Sequence, residues 1–189
     1  MNTAVKGKSL SVRELAMMAM GTALLVICSW ISVPMTVPFT LQTFAVCLTA
    51  ALFGARRGFR TVFCYILLGA AGLPVFSGFK GGIGALLSVT GGYIAGFLFT
   101  ALIVGFAAER WGRKLRVLIP AMILGILLCY AFGTAWFVLV YTKNTGPIGV
   151  AAALGWCVLP YIPADAAKLA LASVLAVRLY PVFAKRIPA

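Results

Sequence analysis

Asp165 and Lys168 are two charges set inside an apolar stretch, in P-Y-I-P-A-D-A-A-K. Three residues apart, they share one face of a helix. An ionised group at membrane depth is costly and points to a binding or transport role. A carboxylate accepts hydrogen bonds from N–H groups; an ammonium donates to a carbonyl or carboxylate. Two readings fit the pair. It is an internal ion pair that lets both charges tolerate burial, or it lines a polar ligand pocket. Both hold if the pair exchanges partners when a ligand arrives. The other acids, Glu14 and Glu109, lie near the ends of apolar runs, close to water.

Further polar groups stand where a membrane span needs none. V-P-F-T-L-Q-T at 37–43 brings Gln42 and Thr43, either as ligand contacts or, through Thr40 or Thr43, as a helix cap. T-G-G-Y-I-A-G-F at 90–97 carries Gly92 and Gly96, a spacing that lets helices approach closely. Its Tyr93 offers a ring and a hydroxyl to a ligand with apolar and polar parts. Trp136, Tyr141, Trp156 and Tyr161 can serve similarly or form an aromatic belt at the outer interface. G-L-P-V-F-S-G-F-K-G-G-I-G at 72–84 is too glycine-rich for a membrane helix and reads as an outer loop, a candidate lid. Ala16, Ala19 and Ala23 give the first helix a small-residue spacing suited to helix contact.

No constellation suited to catalysis emerges. The chain has no histidine, and its five cysteines form no C-x-x-C, which argues against a zinc site. Neither a P-loop nor a complete G-x-G-x-x-G occurs. The expectation is a protein that is not an enzyme and needs no cofactor.

These groups must be positioned by membrane helices. The 189 residues are 63% hydrophobic and 10% charged, with mean hydropathy +1.08. A soluble chain carries about 25% charged residues. One all-α integral membrane domain, 1–189, is expected. A helix needs about 20 apolar residues to cross a bilayer. Six runs qualify, at about 13–33, 40–56, 59–75, 89–109, 117–141 and 162–180. The basic N-terminus resembles a signal peptide, but the run after it is long and lacks a convincing cleavage site. Pro160 and Pro163 divide the last apolar region, and the G-V-A-A-A-L-G-W-C-V-L before them forms an outer helix or a kinked extension.

The net charge of +13 is not a nucleic-acid signature, because the basic residues fall in short clusters between apolar runs. Lys6, Lys8 and Arg13 precede the first run. Arg56, Arg57 and Arg60 fall between the second and third. Arg110, Arg113, Lys114 and Arg116 fall between the fourth and fifth, and Arg178, Lys185 and Arg186 come last. The opposite side holds Lys80 and Lys143. The positive-inside rule makes both termini cytoplasmic. Asp165 then stands about 20 Å up the helix from Arg178, in the outer half of the membrane.

Taken together, V-P-F-T-L-Q-T, G-L-P-V-F-S-G, T-G-G-Y-I-A-G-F and P-A-D-A-A-K make the chain resemble the BioY family. These are the biotin-specific S components of energy-coupling factor (ECF) transporters. The resemblance covers nearly the whole length. It departs at S-V-T-G-G-Y, residues 88–93, where members often have G-P-T-G-G-Y. It implies a multi-pass protein of a prokaryotic cell membrane that captures biotin from outside. It implies a transmembrane coupling subunit and two ABC-type ATPases as partners, docked through Ala16, Ala19 and Ala23, with toppling of the loaded subunit as the transport step. Biotin, a ureido ring and a thiophane ring with a charged tail, then assigns the roles. Asp165 accepts ureido N–H bonds, with Lys168 as counter-charge or donor. Gln42, Thr43 and Tyr93 complete the polar contacts, Lys80 meets the tail carboxylate, and Phe79 and Trp136 pack on the rings. A stand-alone secondary transporter of biotin or another small vitamin is the alternative reading; a structural subunit or membrane enzyme fits the residues less well.

Overall fold

A computed structural model of the chain describes residues 11–186. Lys6 and Lys8 of the basic flank lie outside the described residues. The first helix, α1 (Val12–Trp30), opens on a reciprocal cap. Ser11 Oγ accepts from the Glu14 amide, and Glu14 accepts from the Ser11 amide. Glu14 is also paired with Arg57 at 3.0 Å, so this acid serves helix ends. Two short antiparallel strands follow, β1 (Ser32–Val33) and β2 (Phe39–Thr40). Next come α2 (Gln42–Phe53) and α3 (Ala55–Ala70).

The break between α2 and α3 is a single residue, Gly54, with φ of 83°. That left-handed conformation favours glycine, and a Cβ there would collide with the Glu109 carboxylate. The remaining helices are α4 (Ile83–Leu86), α5 (Gly91–Arg110), α6 (Leu115–Asn144), α7 (Val150–Cys157) and α8 (Ile162–Arg186). Single 3₁₀ turns at Ser77–Phe79 and Leu159–Tyr161 precede α4 and α8.

Four stretches among the described residues are long and apolar enough to cross a membrane: Val12–Trp30, Gly91–Arg110, Leu115–Asn144 and Val150–Ala184. The apolar run at 40–56 differs from its expected form. It yields the 12-residue α2, about 18 Å long. Every residue from Ala45 to Phe53 in it is buried. α2 is enclosed by α1, α3, α5 and α8. A helix surrounded by protein has no need to match the bilayer thickness, and hydropathy alone does not separate the two environments.

α5 packs most extensively on α6. Gly96 of α5 lies against Cys129, and Gly92 leaves room only for Trp136. Thr100 donates to the Gly125 carbonyl at 2.9 Å. At the other end, Arg113 ties two helices together. Its Nε donates to the Ala51 carbonyl in the last turn of α2 at 2.8 Å, and its guanidinium sits 3.8 Å from the Tyr180 ring centre on α8. α2 and α8, pinned there, supply the central polar residues of the cavity described next. Ala16, Ala19 and Ala23 are exposed on α1, on the side away from the buried Met17, Met18, Gly21 and Leu25.

Candidate functional site

Asp165 lies in the first turn of α8, after a 3₁₀ turn that carries Pro160. Pro163 suits this position, since a helix start needs no proline N–H. The free amides of a helix N-terminus favour a carboxylate there by about 0.3–1 kcal/mol. Asp165 is only 4% exposed and Lys168 only 7%. Lys168 Nζ donates to Asp165 Oδ1 at 2.8 Å and to the Thr40 carbonyl at 2.6 Å. The ammonium also lies 3.8 Å from the centre of the Phe39 ring. The β1–β2 pair thus holds Phe39 and Thr40 over the ion pair. A buried charge pair is tolerable only when its remaining donors and acceptors are satisfied, and here they largely are.

Thr43 Oγ1 donates to Asp165 Oδ1 at 3.0 Å, and the phenol of Tyr130 donates to Oδ2. Thr43 lies inside α2, whose N-cap position is Leu41 without a side-chain cap. Thr40 Oγ1 instead accepts from the Gln42 amide at 3.2 Å. Gln42 is buried, accepts from Thr40 Oγ1 and donates to the Tyr65 hydroxyl at 2.6 Å. Tyr65 passes the chain on to the Val75 carbonyl at 3.1 Å, so the loop after α3 is bonded to the start of α2. Tyr93 and Thr134 share a hydrogen bond of 3.0 Å between α5 and α6. The Tyr161 hydroxyl donates to the Val37 carbonyl.

A cavity of about 210 Å³ opens among these groups. Asp165, Lys168, Gln42, Thr43, Tyr93 and Lys80 all line it, with Tyr130, Tyr161, Phe97 and Phe76. Polar groups and apolar side chains both line it, the usual make-up of a small-molecule site. Asp165 and Lys168 form an ion pair, and both line the cavity.

Phe79 and Trp136, expected to pack on the ligand rings, do not line the cavity. Phe79 is 64% exposed and packs at a tilt against Trp30, with ring centres 5.1 Å apart. Trp136 turns its Nε1 to the Ser88 carbonyl at 2.9 Å, bracing the loop before α5 from behind the wall. Tyr130, by contrast, was not among the expected contacts. Its signal is the i,i+4 pairing with Thr134, which sets two polar side chains on one face of an otherwise apolar run.

A polar-walled cavity sunk among helices, several of them long and apolar enough to cross a bilayer, defines a membrane protein that holds a small, partly polar molecule. The BioY family model matches residues 1–185. The biotin transporter BioY of Thermotoga maritima is 38% identical over 168 residues, covering 88% of this chain and 95% of the relative. A probable biotin transporter BioY of Pyrococcus horikoshii is 39% identical over 169 residues, covering 88% and 96%. A crystal structure at 2.1 Å of the S-component for biotin from an ECF-type ABC transporter superposes with a TM-score of 0.80. It is 26% identical, and the match covers 90% of this chain and 94% of the other. The chain belongs to the BioY family. Its relatives are named as transporters, not enzymes.

Proposed function

We propose that this chain binds biotin and mediates its uptake as the substrate-specific S component of an ECF-type transporter. The observation that carries the reading is the cavity carboxylate Asp165, served by Lys168, Thr43 and Tyr130, in a member of a family whose relatives are named biotin transporters. A ureido ring brings N–H donors to that carboxylate. Gln42, Thr43 and Tyr93 give it further polar neighbours, and Phe97 and Phe76 offer apolar surface to the thiophane ring. The chain crosses the cell membrane of a prokaryote six times as a single domain, with both termini cytoplasmic. α1, α2, α3, α5, α6 and α8 are the crossings. The exposed Ala16, Ala19 and Ala23 receive the transmembrane coupling subunit, which recruits two ABC-type ATPases.

Calorimetric titration of the purified protein tests the ligand. Saturable tight binding of biotin is the expected result; no binding refutes the reading. Reconstitution tests the partners. Biotin accumulating in liposomes that contain this chain alone would show that the S-component account is incomplete.

Lys80 tests the orientation of the ligand. It is an exposed cation at the cavity wall and makes no salt bridge among the described residues. If it meets the tail carboxylate, Lys80→Ala weakens biotin binding about two- to fivefold, as suits an exposed ion pair. Biotin amide, which lacks the tail charge, then binds parent and variant alike. An equal loss for both ligands would remove Lys80 from that role.

A further inference from the structure

The hydrogen bonds of Asp165 are unevenly shared. Lys168 and Thr43 both donate to Oδ1, and Tyr130 alone serves Oδ2. The carboxylate side chain is 6% exposed. A carboxylate accepts about four hydrogen bonds and this one holds three, but so little of it is exposed that a ligand N–H gains room most directly where a neighbour gives way. Lys168 is the neighbour held most firmly. The Thr40 carbonyl and the Phe39 ring fix it as well, and its departure would leave a buried carboxylate without its counter-charge. Thr43 shares its oxygen with Lys168, so its departure leaves Oδ1 occupied. Tyr130 holds an oxygen by itself. Its phenol has no other hydrogen-bond partner among the described residues, and it stands half-buried on the cavity wall. It also projects from α6, whereas Asp165 and Thr43 project from α8 and α2.

We propose that the phenol of Tyr130 and a ligand N–H are alternative occupants of Asp165 Oδ2. The proposal rests on the reading that a ureido ligand binds at Asp165. Tyr130 then acts as a specificity-determining residue rather than an anchor. A ligand that brings a donor replaces the phenol and leaves the carboxylate satisfied. A ligand of the same shape without an N–H must either leave the phenol in place or strand a buried charge, and a stranded polar group is strongly disfavoured. The exchange frees the Tyr130 ring to turn toward the cavity lining as the ligand settles.

Tyr130→Phe keeps the ring and removes the hydroxyl. Biotin then displaces no protein hydrogen bond at Oδ2. The expected result is affinity about ten- to a hundredfold tighter, the equivalent of one net hydrogen bond to a charged group. The gain appears as faster association with dissociation close to the parent rate, because the deleted bond belongs to the free protein and not to the complex. Saturating biotin also raises the melting midpoint of the variant by more than it raises the parent's. A residue that only supports the fold would lower affinity or leave it unchanged, and either outcome overturns the proposal. So does a gain found wholly in slower dissociation. Should Tyr130→Phe fail to fold, fluorotyrosine placed at position 130 of the otherwise parent chain supplies a second measurement. Its fluorine resonance shifts when biotin is added, and a resonance unmoved at saturation overturns the exchange. A parent chain that binds no biotin fails before any variant is made, and that failure belongs to the ligand reading.

Discussion

Asp165→Asn lowers biotin affinity by about tenfold or more, and adding Lys168→Met restores stability without restoring binding. The first effect comes from what Asp165 supplies. Its carboxylate accepts from Lys168, Thr43 and Tyr130, all inside a cavity largely walled from water. An amide keeps the shape, but one of its two ends donates instead of accepting and the charge is lost. A hydrogen bond to a charged group contributes about 1.5–3 kcal/mol, so its loss is worth about one to two powers of ten in affinity. The single substitution also leaves the Lys168 ammonium buried without its counter-charge. Breaking one half of such a pair costs about 3–5 kcal/mol. The Thr40 carbonyl and the Phe39 ring soften that cost, since a cation over an aromatic face gains about 0.5–2 kcal/mol. The net expectation is a clear drop in melting midpoint. Lys168→Met removes the stranded charge and fills its volume with an apolar side chain, and exchanging a whole buried pair for neutral groups is often neutral or stabilising. The measurements are biotin titration and thermal unfolding in the same detergent for parent, single and double variants. Unchanged affinity in Asp165→Asn would remove the carboxylate from the ligand site. A double variant as unstable as the single would mean that the unpaired charge is not the source of the loss.

How far the sequence foretells this site depends on the kind of residue. Asp165 and Lys168 are legible because charge in an apolar run has few structural uses, and Gln42 and Thr43 because V-P-F-T-L-Q-T puts polar groups at the mouth of a helix. Tyr130 is not legible in the same way. Its pairing with Thr134 marks a polar face, but where that face points depends on the rotation of the helix, and rotation is decided by packing between helices. Trp136 falls outside the cavity lining for the same reason, and Phe79 because it sits in a loop whose path the local sequence does not set. Their rings suit a thiophane, yet Phe79 packs against Trp30 and Trp136 braces Ser88. The length of α2 is a further limit. The run at 40–56 is apolar enough for a span, but the sequence does not say that protein rather than lipid surrounds its 12 helical residues. The break falls at Gly54 in a left-handed conformation, and the side chain that lies against it, Glu109, stands fifty-five residues further along the chain.

Gly133→Ala, the addition of one methyl group, lowers stability by about 1–3 kcal/mol, the usual cost of overpacking a tight contact. It also weakens biotin binding about fivefold or more. Gly133 lies on α6 directly beneath the Tyr93 ring, and a Cβ there would overlap the ring carbons. α2 and α3 pack on α5 as well and leave it no easy retreat from α6. Gly92 is closed against Trp136 and Gly96 against Cys129, so the two helices are already at their nearest approach. The Tyr93 ring must then move, and its hydroxyl is bonded to Thr134, the residue after Gly133. A displaced ring swings into the cavity that it lines or forces α5 from α6; both change the shape of the site. The control is Tyr93→Leu, which takes away the ring that the new methyl would strike. Gly133→Ala placed on that background is expected to cost little further stability, so the two substitutions are strongly non-additive, as contacting residues are. Binding stays weak in the double variant, because the Tyr93 hydroxyl and ring are gone from the wall. Thermal unfolding and biotin titration across the four proteins test this. Additive losses of stability would show that Gly133 is needed for something other than room for Tyr93.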